Sequence, residues 1–109
     1  MRKKVGLSLL MLSAFSVAAL TGCAPKGQQG VTEDTILIGN TAATSGAFAT
    51  VGVPFNAALK ARMSKLNEAG GFRDRKVELK HYDDAFSATE GLTLTKKLVE
   101  DDKVFALVG

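Results

Sequence analysis

The chain has 109 residues and one cysteine, with 14 lysines and arginines against 11 aspartates and glutamates, a formal charge of +3. Three of those cations are Arg2, Lys3 and Lys4; setting them aside leaves 11 basic against 11 acidic groups. The remainder is formally neutral, without the basic footprint of a nucleic-acid binder, and a lone cysteine makes neither a disulfide nor a cysteine-based metal site.

The N-terminal segment comes first. Val5 to Ala19 is a mostly apolar stretch interrupted by Gly6, Ser8, Ser13 and Ser16. A secretory apolar core runs about 7–15 residues, whereas a membrane-spanning helix needs about 20. The segment therefore reads as an export signal covering residues 1–22. Leu20-Thr21-Gly22-Cys23 closes it, with small residues directly before the cysteine. That ending resembles the processing site of bacterial lipoproteins. The resemblance implies a lipid on the Cys23 thiol and a mature chain held at the outer face of a membrane, outside the cytoplasm. Two or more acyl chains anchor stably, at about 0.8 kcal/mol per buried methylene. The alternative is an uncleaved N-terminal anchor followed by an ordinary buried cysteine.

Ala24 to Gly30 (APKGQQG) has no apolar periodicity. With Cys23 it reads as a lipidated end and flexible tether, residues 23–30. The folded part is expected over residues 31–109, which is small for an independent core.

That part alternates between two periods. Thr35 to Thr41 (TILIGNT) is a first strand. After an uncharged loop, Pro54 suits the first position of a helix. Phe55, Leu59, Met63 and Leu66 then recur at helical spacing as its core face. Gly70-Gly71 ends the helix, because glycine accepts the left-handed cap. Gly71 to Lys76 reads as a charged, hairpin-like turn. Lys76 to Tyr82 alternates as a second strand. Ser87 and Glu90 have capping-box spacing at the start of a second helix, with Leu92, Thr95, Leu98 and Val99 as its inward stripe. Val104 to Val108 is a third strand, apolar on both faces as in a covered parallel sheet. The order β-α-β-α-β with right-handed crossovers makes an α/β fold, a Rossmann-like three-layer arrangement around a parallel sheet. Ligands in such sheets bind at the carboxyl ends of strands. Gly109 directly follows the third strand, so the chain reads as an N-terminal fragment of a larger protein.

Several stretches together resemble one family. They are Ser45-Gly46 with Gly52 seven residues after Ser45, Asn67-Glu68-Ala69-Gly70-Gly71, Tyr82-Asp83-Asp84, and the unit from Leu98-Val99 to Val108-Gly109. Thr35 to Gly109 is similar to the opening of the periplasmic leucine/isoleucine/valine-binding proteins. These are the solute receptors of branched-chain amino-acid ABC transporters. The resemblance implies a type I binding-protein lobe, here incomplete, within a two-lobed protein that closes on a small amino acid. It implies an ABC permease as partner, no cofactor and no enzymatic activity. A lipid-anchored sensor using the same fold is the alternative. The loop after the first strand lines the cleft in this family. Val51, with Ser45, Gly46 and Phe48, is thereby expected against the ligand, Val51 facing its apolar tail.

The residues themselves leave alternatives open. The loop from Ala42 to Val53 is either a structural turn or a ligand contact whose N–H groups, with the following helix N-terminus, meet an anion. No lysine follows its glycines as a phosphate-binding loop requires. His81, Asp83 and Asp84 form an acidic cluster with one histidine; His81 and Asp83 share a strand face, so those two could pair on a metal. The competing reading is an acidic turn that caps the next helix or faces solvent.

Overall fold

A computed structural model describes residues 27–109. Residues 1–22, Cys23 and the beginning of the expected tether lie outside the described residues. The element order is β1 (Thr35–Ala42), α1 (Ala49–Glu68), β2 (Lys76–Asp83), α2 (Ala88–Glu100) and β3 (Ala106–Leu107). Among the described residues no helix is long and apolar enough to cross a membrane.

The three strands form one parallel sheet in the order β2-β1-β3. β1 is central, and it pairs with β2 over its whole length, from Thr35 opposite Lys76 to Ala42 opposite Asp83. Successive β1 residues point to opposite faces. A Cβ on Gly39 would touch Leu98 and Val104, whereas the next residue, Asn40, bonds His81, which lines a hollow with Asn56, Ala57 and Lys60 of α1. The helices therefore cover opposite faces, as right-handed crossovers on either side of β1 require. The expected three-layer α/β arrangement is the observed one.

α1 departs from expectation at both its start and its face. It begins at Ala49, because Phe48 C=O already accepts from Val51 and Gly52 N–H at 3.0 and 3.1 Å. Pro54 is thus inside the helix. Its missing N–H removes the helical donor to the carbonyl four residues back, that of exposed Thr50. The residues α1 buries are Gly52 and Asn56. Phe55, expected in the core, is exposed, and Leu59, Met63 and Leu66 are half-buried. The cause is backbone proximity: a Cβ on Gly52 would lie 1.8 Å from Ala43 O. The helix rests on the sheet end through a residue with no side chain, which turns the larger neighbours outward.

The C-terminal end of α1 follows its sequence signal. Gly70 N–H donates to Asn67 O at 3.1 Å and Gly71 N–H to Leu66 O at 2.9 Å, with Gly70 at φ +104°. This is the paired bonding of a Schellman cap. Just before it, Asn67 holds strand β2 as a third strand would: its Nδ2 donates to Val77 O (2.9 Å) and its Oδ1 accepts from Val77 N (2.8 Å). Phe72 and Arg75 then exchange two backbone bonds, closing the expected tight turn.

Ser87 caps α2, its Oγ accepting from Glu90 N at 3.3 Å. Leu98 is fully buried, at 0% exposure, while Leu92 and Val99 of the expected stripe are exposed. The seam runs instead through Leu94, Thr95 and Leu98. β3 is shorter than Val104–Val108. Its flanks still bond β1, with Phe105 N–H donating to Leu37 O (2.8 Å) and Val108 N–H to Gly39 O (2.9 Å). Val104 is buried, but Phe105 and Leu107 are exposed, so this strand is not covered on both faces. Across the end of α2, Asp102 accepts from Lys80 Nζ at 2.7 Å and from Tyr82 OH at 2.9 Å.

The tether boundary also moves. Gln29 Nε2 donates to Val104 O (3.0 Å) and Val99 O (3.2 Å), and Gly30 O accepts from Leu37 N (2.8 Å). These bonds hold the chain on the sheet before Val31, where the expected folded part begins.

Candidate functional site

The carboxyl ends of β1 and β2 carry the site. β1 runs into Ala42 and buried Ala43, and the chain then turns through Thr44, Ser45 and Gly46 to enter α1. Asp83, at the end of β2, holds this loop in place. Its Oδ1 accepts from Thr44 N (2.9 Å), Ser45 N (3.3 Å) and, in the following turn, Ala85 N (3.0 Å). The Ser45 hydroxyl, with the Ala85 and Thr44 N–H groups, keeps the Asp83 carboxyl well below the usual carboxylate range. The anion that the loop's N–H groups meet is therefore the chain's own Asp83.

His81 supports the same loop from beneath. Its Nδ1 is 2.9 Å from Asn40 Oδ1, and its Nε2 is 3.1 Å from Thr44 Oγ1. A neutral ring protonated on Nδ1 donates to Asn40 and accepts from the Thr44 hydroxyl. Burial lowers the His81 pKa, and the Lys60 charge adds to this, against Asp83 and Asp84. Both causes favour that neutral form. His81 and Asp83 do share a face, and what they share is Thr44. Among the described residues no group of three or more His, Cys, Asp and Glu side chains is placed to hold a metal ion.

Above this support lies a hollow of about 370 Å³ with an apolar lining. Phe48, Val51, Phe55 and Phe86 supply its bulky walls, Ala42, Ala43 and Gly52 its small ones, and Thr41 and Asp84 its polar edge. The Phe48 and Phe86 rings stack, with centroids 3.7 Å apart and planes 24° from parallel. A space of this size with few polar groups suits an aliphatic or aromatic fragment of a small molecule. No side chain in the lining is arranged as a nucleophile with its base.

Of the loop residues expected at the ligand, Val51 and Phe48 line the hollow. Ser45 and Gly46 do not; they form the turn behind it, Gly46 at φ +70°. Cys23 lies outside the described residues. Sequence reasoning missed Phe55, which it assigned to the core, and Phe86 in the turn after β2; Asp84 of the same turn was weighed only for a metal or an acidic cap, and it borders the hollow. The rule that ligands bind where parallel strands end points to that second turn as well as the first.

A family model described as periplasmic binding protein matches residues 35–109. The fold is similar to the branched-chain amino acid transporter substrate binding protein LivJ from Streptococcus pneumoniae, crystallised with isoleucine. There the identity is 30%, the TM-score is 0.68, and the match covers 70% of this chain and 22% of that one. An ABC transporter substrate-binding protein from Desulfitobacterium hafniense in complex with Leu is 26% identical at a TM-score of 0.57, covering 70% of this chain and 22% of that one. A fatty acid ABC transporter substrate-binding protein from Thermomonospora curvata shares the fold, at 23% identity and a TM-score of 0.68, covering 75% of this chain and 21% of that one. No curated protein sequence matches the chain. The chain spans about a fifth of the length of these solved structures, 21–22%. The extent of the family match, across the whole α/β unit from β1 to Gly109, places it: the chain belongs to the periplasmic binding protein family.

Proposed function

We propose that residues 31–109 open the N-terminal lobe of a solute receptor that delivers a branched-chain or similar aliphatic amino acid to an ABC permease. The observation that carries this reading is the apolar hollow at the strand ends, lined by Val51 and Phe48, in a chain of a solute-binding family. Its walls suit the aliphatic tail of leucine, isoleucine or valine. The relatives crystallised with isoleucine and with leucine supply the ligand class. The amino and carboxylate groups of the ligand would be gripped elsewhere in the intact protein, since the hollow is mostly apolar. Residues 1–22 would direct export, and a lipid on Cys23 would keep the receptor beside its permease outside the cytoplasm. Binding and release require no covalent step.

The test is thermal unfolding of the intact protein with leucine, isoleucine and valine. At a hundredfold excess over Kd, a ligand that binds only the folded form stabilises it by about 2.7 kcal/mol. The absence of a shift with every aliphatic amino acid would refute the reading. Val51→Trp fills part of the hollow, so it is expected to weaken leucine more than alanine or glycine. Unchanged selectivity would remove Val51 from the ligand site.

A further inference from the structure

We propose that Phe86 limits the length of the apolar ligand tail, an inference that rests on the solute-receptor reading above. Its ring stands between two hollows. One is the 370 Å³ pocket already described. The other, about 300 Å³, lies against the start of α2 and is lined by Ser87, Ala88 and Gly91. Phe86 and Asp84 border both.

Packing within α2 does not account for the ring. Phe86 directly precedes the Ser87 cap, a position from which an apolar side chain commonly packs on the fourth helical residue. That residue is Gly91, which has no side chain to meet it. The ring lies instead directly on Phe48, the two forming one wall of the pocket, and remains 66% exposed.

The backbone presents the ring against its own preference. Ala85 and Phe86 have φ of +48° and +63°, a left-handed region that residues with a Cβ adopt rarely. Two carboxylates pin them there: Asp83 Oδ1 accepts from Ala85 N at 3.0 Å and Asp84 Oδ1 from Phe86 N at 2.9 Å. A strained turn held by its surroundings beside a binding cavity is a mark of a positioned functional side chain. With the ring in place, an apolar tail is confined to the first hollow. Without it, the two become continuous through the space the ring occupied.

The experiment titrates the intact protein calorimetrically with leucine and with 2-aminooctanoic acid, whose tail carries two more carbons. In Phe86→Ala the ratio of the two dissociation constants is expected to shift about tenfold toward the longer probe, the effect of burying two further methylenes. Phe86→Leu, smaller but still apolar, is expected to shift it by a lesser factor in the same direction, and it decides the matter if the alanine variant does not fold. Leucine binding retained with a ratio within twofold of wild type in the folded variants overturns the role of Phe86 and leaves the receptor reading intact. A wild-type protein that binds neither probe nor any aliphatic amino acid refutes both.

Discussion

Gly52→Ala tests how α1 is seated, and here even the sign of the effect is informative. The new Cβ would stand 1.8 Å from Ala43 O and 2.6 Å from Ala43 C, where ordinary contact begins near 3.4 Å. Both opposing atoms are backbone, so no rotamer change relieves the clash, and the start of α1 must lift by more than an ångström. Overpacking of this kind costs about 1–3 kcal/mol. Alanine is better than glycine inside a helix by about 1 kcal/mol. The expected net effect is a loss of up to about 2 kcal/mol, with weaker ligand binding as Val51 moves with the helix. Urea unfolding of the intact protein measures it, as a lower midpoint at unchanged slope. A variant more stable than wild type by about the 1 kcal/mol of helix propensity would mean that α1 does not rest on Ala43 and would refute the reasoning. Gly46→Ala is the contrast: its added Cβ meets nothing within 4 Å, but φ is +70°. It is expected to cost about 1 kcal/mol through backbone strain alone, and Gly46→Asn, which tolerates that region, should recover most of the loss.

Two further outcomes follow from the same geometry. Asp83→Ala frees the Thr44, Ser45 and Ala85 N–H groups and is expected to weaken ligand binding, with Asp83→Asn intermediate because it keeps one acceptor oxygen. The folded-state pKa of Asp83 is depressed, so its stabilising contribution is complete above the ordinary carboxylate pKa of about 4 and is lost as pH falls toward the depressed value. Melting curves between pH 2 and 7 should show a shallower acid limb in Asp83→Asn; an identical limb would mean that the carboxylate does not hold the loop. Leu98→Ala removes a side chain at 0% exposure that faces Gly39, and is expected to cost about 2–5 kcal/mol; a loss under 1 kcal/mol by urea unfolding would contradict α2 being anchored there.

The short-range signals were legible wherever one residue acts on its immediate neighbours. Gly70-Gly71 closes α1 because a left-handed turn must follow the last helical carbonyls, and Ser87 begins α2 because its hydroxyl reaches Glu90 N–H. The inward faces were less legible. Counting apolar residues at helical spacing put Phe55 and Leu92 inside, yet both are exposed. The seams are set by close approach, Gly52 on Ala43 and Leu98 beside Gly39, and a hydrophobic pattern favours the largest side chains over the smallest. The site was half legible for a related reason. Phe48 caps α1 and Val51 lies in its first turn, directly after the first strand's loop, where the strand-end rule directs attention, while Phe86 reaches the same hollow from a turn 38 positions beyond Phe48 in the sequence.

By itself the sequence determined the alternation of strands and helices, the caps, the near-neutral charge beyond Lys4 and the family resemblance. All of these depend on local stereochemistry, composition or residue order. Only the tertiary structure decided that β1 and β2 run in register from Thr35 opposite Lys76 to Ala42 opposite Asp83. That register brings Asp83 beside the Thr44 amide and His81 beside Asn40 and Thr44. It converts what reads as a possible metal cluster into the support of a loop, and it sets the turn carrying Phe86 against Phe48. The physical reason is that parallel pairing joins segments some forty residues apart, and which of their side chains meet depends on a register fixed by how the buried faces of both strands align across the sheet, which neither segment specifies alone.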